Sequence, residues 1–170
     1  NAAEADFTSI IKRSRDVADG MSSGISYLMK KNKIDVVIGF GKIMPNNKLK
    51  VTSEGKTKDY TAKNIIIATG ARSRELPNLP QDGKKIIGYR DALVLKSVPK
   101  RMVIVGSGAI GVEFAYFYNS MGCEVTIVEY LPNIVPVEDT DVSKQLQRSF
   151  KKSGINVLTN SSVEKVDVSG

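Results

Sequence analysis

Three glycines, Gly106, Gly108 and Gly111, and one carboxylate, Glu129, are arranged as a phosphate and ribose site would require. Gly106 permits a tight turn out of the apolar run Met102–Val105. Gly108 lets a phosphate approach the backbone, and Gly111 lets the following helix pack close to the sheet. The N–H groups left free at that helix start face the phosphate, and the helix dipole favours its negative charge. Glu129 closes a second apolar run, Val125–Val128, about 20 residues further on, where a carboxylate can accept from both hydroxyls of an adenosine ribose. Strand, glycine turn, helix, strand and acid in this order read as a dinucleotide site. The bland alternative is a tight βα turn packed for its own sake. A 2′-phosphate beside Glu129 would be repelled. The first base after Tyr130 is Lys144 and the first arginine is Arg148, so NAD is favoured over NADP.

Other chemistry is narrowed by composition. The chain has 170 residues, no histidine and a single cysteine, Cys123. No intramolecular disulfide, Ser-His pair or histidine-built metal site can form within it, and its commonest general base is absent. Cys123, between Gly122 and an apolar strand, reads as a small buried side chain and not as a nucleophile. Glu113 is an acid in the early turns of the helix, a position the dipole favours by itself. The formal charge of +7 is dispersed, and aromatic residues make up only 6%, without a stacking pattern beside the lysines, which argues against a nucleic-acid role. The apolar runs are too short to span a membrane, and Asn1–Asp6 does not read as a signal peptide. These features fit a reducing interior: bacterial cytoplasm is the expected compartment, or the mitochondrial matrix in a eukaryote.

Periodicity gives the helices and strands around these residues. Phe7–Lys31 reads as a helix, with Asp6 or Thr8 as cap and Lys30 and Lys31 at its end. Gly20 and Gly24 within it would mark close packing against a neighbour. Ile34–Ile43, Lys48–Ser53 and Lys58–Thr61 read as an antiparallel meander with turns at Pro45–Asn47 and Glu54–Lys56. Asn64–Ala68 reads as a buried strand, Arg72–Gly83 as a connection, and Asp91–Lys96 as a short helix. After the glycine turn and second strand, Asp139–Lys152 reads as a helix presenting Val142, Leu146 and Phe150 on one face. Ile155–Thr159 and Val163–Val168 complete the set as strands. The fold class is α/β: a Rossmann-like three-layer domain with an antiparallel meander, expected to be truncated at both ends.

Asn64–Gly70 followed by Gly106–Glu129 resembles the two-dinucleotide-binding flavoprotein disulfide reductases, and among them the dihydrolipoamide dehydrogenases. Gly39–Ile43, Ile65–Ala71, Gly108–Phe114, Val125–Glu129 and the helix end Lys151–Gly154 carry the likeness, which runs from about Phe7 to Val168. The resemblance implies that residues 1–80 are the later part of an FAD-binding domain and residues 81–170 an NAD-binding domain. Gly41, Thr69, Gly70 and Ala71 would then meet FAD. Gly106, Ser107, Gly108, Ala109, Ile110, Gly111 and Val112 would line NAD, with Glu129 on its ribose and Val163 at its adenine end. Read as residues alone, Gly41 would serve a bulge, Thr69–Gly70 would end a strand, and Val163 would be an ordinary strand residue. The resemblance also implies that Glu113 lies by the nicotinamide, where it would pair with a flavin-side lysine absent from this sequence. Ala109, Gly111 and the lack of bases after the second strand lean away from glutathione reductases.

The family's FAD fingerprint, paired redox cysteines and His-Glu acid/base pair have no counterpart here. The expectation is an NAD-binding fragment with no catalytic residue of its own and no metal, inert by itself in dihydrolipoamide oxidation. Its parent would be a homodimer within 2-oxo acid dehydrogenase complexes. The alternatives are a fragment of an NADH oxidase, mercuric reductase or transhydrogenase, or a non-catalytic nucleotide-binding module. Open strand edges at Asn64–Ala68 and Val163–Val168 would promote self-association.

Overall fold

The computed structural model describes residues 5–169, so most of the polar start read at Asn1–Asp6 lies outside them. Two compact units are present: Ser73–Gly170 together with the chain up to Arg15, and Asp16–Arg72. The helix α1 (Phe7–Lys31) contributes to both. Its start is capped as its sequence suggests, because the Asp6 carboxylate accepts from the Ser9 N–H at 3.0 Å.

The larger unit is built on three parallel strands, β4 (Arg101–Val105), β5 (Glu124–Val128) and β6 (Asn156–Leu158), in the order β4-β5-β6. Val105 lies opposite Val128, and Val128 opposite Leu158, so the ends of β4 and β5 that carry the glycine turn and Glu129 are level. The crossovers are α3 (Ala109–Ser120) and α4 (Thr140–Lys152). Central strand β5 reads as a continuous apolar run because it is enclosed: Val125 and Ile127 are fully buried. Each such side chain stabilises the fold by about 1.5–3 kcal/mol. Against it pack Val112, Ala115 and Tyr118 of α3, with Cys123, Ile134, Phe150 and Ile155. The Phe7 ring lies 6.2 Å from those of both Phe117 and Tyr118, and the Tyr118 hydroxyl donates to the Ala92 carbonyl. Burial, then the neighbouring Glu124 charge, pushes the Cys123 thiol above its ordinary value, as suits an inert packing residue.

Helix α4 is capped by Asp139, whose carboxylate accepts from the Asp141 N–H at 2.8 Å, and Gly154 at φ +83° closes it. Its inward stripe is Ser143, Leu146 and Phe150. Val142, expected on that face, is exposed, and Ser143 takes its place because i, i+3, i+7 is the spacing that turns toward the sheet. The short helix before β4 is α2 (Tyr89–Ala92), earlier than the expected Asp91–Lys96.

In the smaller unit β1 (Phe40–Met44), β2 (Lys48–Ser53) and β3 (Lys56–Thr61) form the expected antiparallel meander. Its turns tighten to the pairs Asn46–Asn47 and Glu54–Gly55, all four residues at positive φ, so β3 starts at Lys56 and not Lys58. Gly41 pairs regularly with Val51 and forms no bulge. The glycine that this sheet requires is Gly39, where a Cβ would lie 2.7 Å from the Thr52 carbonyl oxygen.

Among the described residues two expected strands are absent, and a third, expected over Ile34–Ile43, forms only from Phe40. Ile34–Gly39, Asn64–Ala68 and Val163–Val168 are irregular, with Ile38 and Ile66 exposed by 79% and 90%. A strand exists only through the ladder a neighbour provides, and among the described residues no neighbouring strand pairs with these segments. The two edges expected to drive self-association are therefore not formed as edges. The apolar positions Val17, Met21, Ile25 and Leu28 of α1 are exposed as well. Gly20 and Gly24 face open space, so they do not mark a close packing contact.

Candidate functional site

The ends of β4 and β5 converge on one constellation. The chain leaves Val105 through Gly106, whose φ of +97° is one that L side chains rarely adopt, and whose N–H donates to the Val128 carbonyl at 2.9 Å. That bond ties the turn to the end of the next strand. Gly108 is the N-cap of α3 and supplies no side-chain cap, which leaves the first helical N–H groups uncapped by side chains. A Cβ at Gly108 would meet nothing within 4 Å, so the glycine is not needed for internal packing. At Gly111 the opposite holds: a Cβ there would lie 2.3 Å from the Gly106 carbonyl oxygen and 3.4 Å from the Ile104 side chain. The three glycines thus have three separate causes: a backbone dihedral, an open approach, and a close contact of helix with turn.

Glu129 lies beyond the end of β5 and is only 6% exposed. Its carboxylate accepts three hydrogen bonds of 2.8 Å or less. The Ser107 N–H and Ser107 hydroxyl donate to Oε2 at 2.8 and 2.6 Å, and the Leu131 N–H donates to Oε1 at 2.8 Å. Ser107 is fully buried, and its carbonyl accepts from the Val135 N–H at 2.9 Å. Val135 is buried with φ +41°, a strained conformation for a β-branched residue. Residues 130–138 therefore fold back onto the glycine turn.

Burial pushes the Glu129 carboxyl up, but the Ser107 hydroxyl and the backbone N–H groups of Leu131, Ser107 and Tyr130 outweigh it and hold the pKa below its ordinary 4.5. A lowered folded-state pKa means that the clasp contributes its full stability above about 4.5 and loses it as pH falls through the folded value. Urea unfolding of the wild type and Glu129→Gln should differ by a constant amount from about pH 6 to 8, and the gap should close on acidification below about 4.5. A gap that widened in acid would contradict the charged clasp. The variant comparison is needed because the exposed Asp82, held down chiefly by the Lys84 N–H, also titrates in acid.

Of the residues singled out in the sequence, Gly106 to Val112 and Glu129 are brought together here. Glu113 is exposed on α3 and borders a separate apolar hollow of about 290 Å³, lined also by Ile10, Ile11, Ser14, Leu93, Phe114 and Phe117. Gly41, Thr69, Gly70 and Ala71 are exposed in the smaller unit, with Gly70 at φ +74°. Val163 is half-buried and its carbonyl accepts from the Asn78 side-chain amide at 2.7 Å. Leu131 and Val135 were not evident as site residues. Pro132 and Pro136 hint at an ordered turn there, but backbone donors leave no mark in side-chain type. Acidic Glu138, Asp139 and Asp141 follow, and the first base, Lys144, is paired with Asp141 at 3.1 Å.

Residues 2–170 match the family described as pyridine nucleotide-disulphide oxidoreductase. The chain is 48% identical over 162 residues to the dihydrolipoyl dehydrogenase of Zymomonas mobilis, covering 95% of this chain and 35% of the relative. It is 47% identical over 165 residues to that of Chlorobaculum tepidum, covering 96% and 35%. Among solved structures, LpdA from Mycobacterium tuberculosis superposes with a TM-score of 0.90 at 28% identity, over 99% of this chain and 38% of that one. A mutant of the HOCl-induced flavoprotein disulfide reductase RclA from Escherichia coli, in its Cu(II) complex, gives 0.85 at 28% identity, over 96% and 37%. The chain spans little more than a third of the length of these relatives.

Proposed function

Because the chain belongs to the pyridine nucleotide-disulphide oxidoreductase family, we propose that it is the NAD-binding part of a dihydrolipoyl dehydrogenase. The observation that carries the reading is the glycine turn running into an α3 start without a side-chain cap, level with the Glu129 carboxylate. The uncapped N–H groups of α3 would take the pyrophosphate, Gly108 would allow its close approach, and Glu129 would accept from the adenosine ribose. The acidic stretch after Glu129 supports NAD over its 2′-phosphorylated relative.

NAD, when bound, accepts the hydride in such an enzyme. The residues of this chain bind and orient it. Glu113 is assigned a place beside the nicotinamide, and Gly41, Thr69, Gly70 and Ala71 a place along FAD, with Val163 at the adenine end of NAD. Residues 1–80 and 81–170 would serve the FAD and NAD domains respectively. The whole protein would act as a homodimer on protein-bound dihydrolipoamide within a 2-oxo acid dehydrogenase complex, in a bacterial cytoplasm. Among the described residues no helix is long and apolar enough to cross a membrane. Another flavoprotein disulfide reductase is a second reading, supported by the superposition on RclA. Sequence relatives named dihydrolipoyl dehydrogenase at 40–48% identity favour the first.

Thermal unfolding tests the binding half. A hundredfold excess of NAD over its Kd should stabilise the chain by about 2.7 kcal/mol, seen as a raised Tm, with little effect from NADP. The same chain should give no NADH from dihydrolipoamide and NAD. A folded chain with an unmoved Tm, or one that turned over dihydrolipoamide, would defeat the corresponding half of the proposal.

A further inference from the structure

The Glu129 carboxylate can accept about four hydrogen bonds, and three are already made by the chain. Both on Oε2 come from Ser107. Oε1 takes the Leu131 N–H. A ribose engaging both carboxylate oxygens must therefore displace something from Oε2. The backbone of Ser107 is pinned at both ends, its N–H by Glu129 and its carbonyl by Val135. The hydroxyl is free to turn about its own side-chain torsion, so it is the contact that can yield.

We propose that the Ser107 hydroxyl stands in for a ribose hydroxyl on Glu129, so that Ser107 is a positioning residue that the ligand must displace. This rests on the reading of Glu129 as the ribose acceptor. Displacement exchanges one O–H donor for another, so a given ribose hydroxyl adds little to affinity while Ser107 is present. The serine also fills the carboxylate when one hydroxyl of the ligand is missing. Without the serine, the ligand hydroxyl satisfies a buried acceptor that nothing else reaches.

Nicotinamide fluorescence titrations of the full chain test this with NADH and with its analogue lacking the adenosine 2′-hydroxyl. Wild type should lose about threefold or less on the analogue. Ser107→Ala should bind NADH about tenfold more tightly and lose about tenfold or more on the analogue, the scale of a hydrogen bond to a charged group. Ser107→Gly deletes the same hydroxyl and repeats the test in a second background. Equal discrimination in wild type and variants, or weaker NADH binding by a folded variant, would overturn the proposal. A wild type that binds NADH equally well after Glu129→Gln would instead overturn the ribose reading beneath it, whatever Ser107 does.

Discussion

Replacing Gly111 with valine is expected to abolish NADH binding and to destabilise the chain by about 3 kcal/mol or more. The new Cβ would start 2.3 Å from the Gly106 carbonyl oxygen, which is backbone and not the movable end of a side chain. Gly106 cannot retreat freely, since its N–H is tied to Val128 and its φ of +97° is already specialised. Either α3 moves away from the sheet, losing the packing of Val112, Ala115 and Tyr118, or the glycine turn distorts. Both outcomes displace the N–H groups that would meet a phosphate. Gly108→Val is the matched control. Open space surrounds that Cβ and φ is −64°, so stability should hold while binding is lost to the ligand's own bulk. Urea denaturation with NADH titration separates the two. Unchanged stability in Gly111→Val would contradict the packing argument.

Glu129→Gln is the second large effect. The substitution keeps the shape but replaces one acceptor oxygen by a donor amide, facing either the two Ser107 donors or the Leu131 N–H. A buried donor facing a donor costs about 1–3 kcal/mol, and the charge assistance is lost as well. Stability near neutral pH should fall by about 2 kcal/mol. NADH affinity should fall at least about tenfold, and the preference over NADPH should narrow because the charge that repels a 2′-phosphate is gone. Calorimetry with both nucleotides reads this directly. A variant with wild-type affinity for each would remove Glu129 from the site.

Local features of this fold were legible in the sequence, and pairings between distant segments were not. α1, the meander, the glycine turn and α4 declare themselves through periodicity, caps and turn residues, all effects that act within a few positions. Ile34–Gly39, Asn64–Ala68 and Val163–Val168 are β-branched like β4 and β5, yet among the described residues no strand pairs with them. Composition gives a tendency, whereas a ladder requires a partner. The same limit applies to the site. Gly106, Gly108, Gly111 and Glu129 follow from a spacing rule. The Ser107–Glu129 contact spans 22 residues, and the left-handed turn at Val135 contradicts local preference. Both arise only once β4 and β5 lie side by side.

Calorimetric titration of the chain with NADH and then NADPH would show whether it is a folded, NAD-selective half-site. NADH should bind saturably and one-to-one, and NADPH at least about tenfold more weakly. A folded chain that bound neither, or both equally, would contradict that reading.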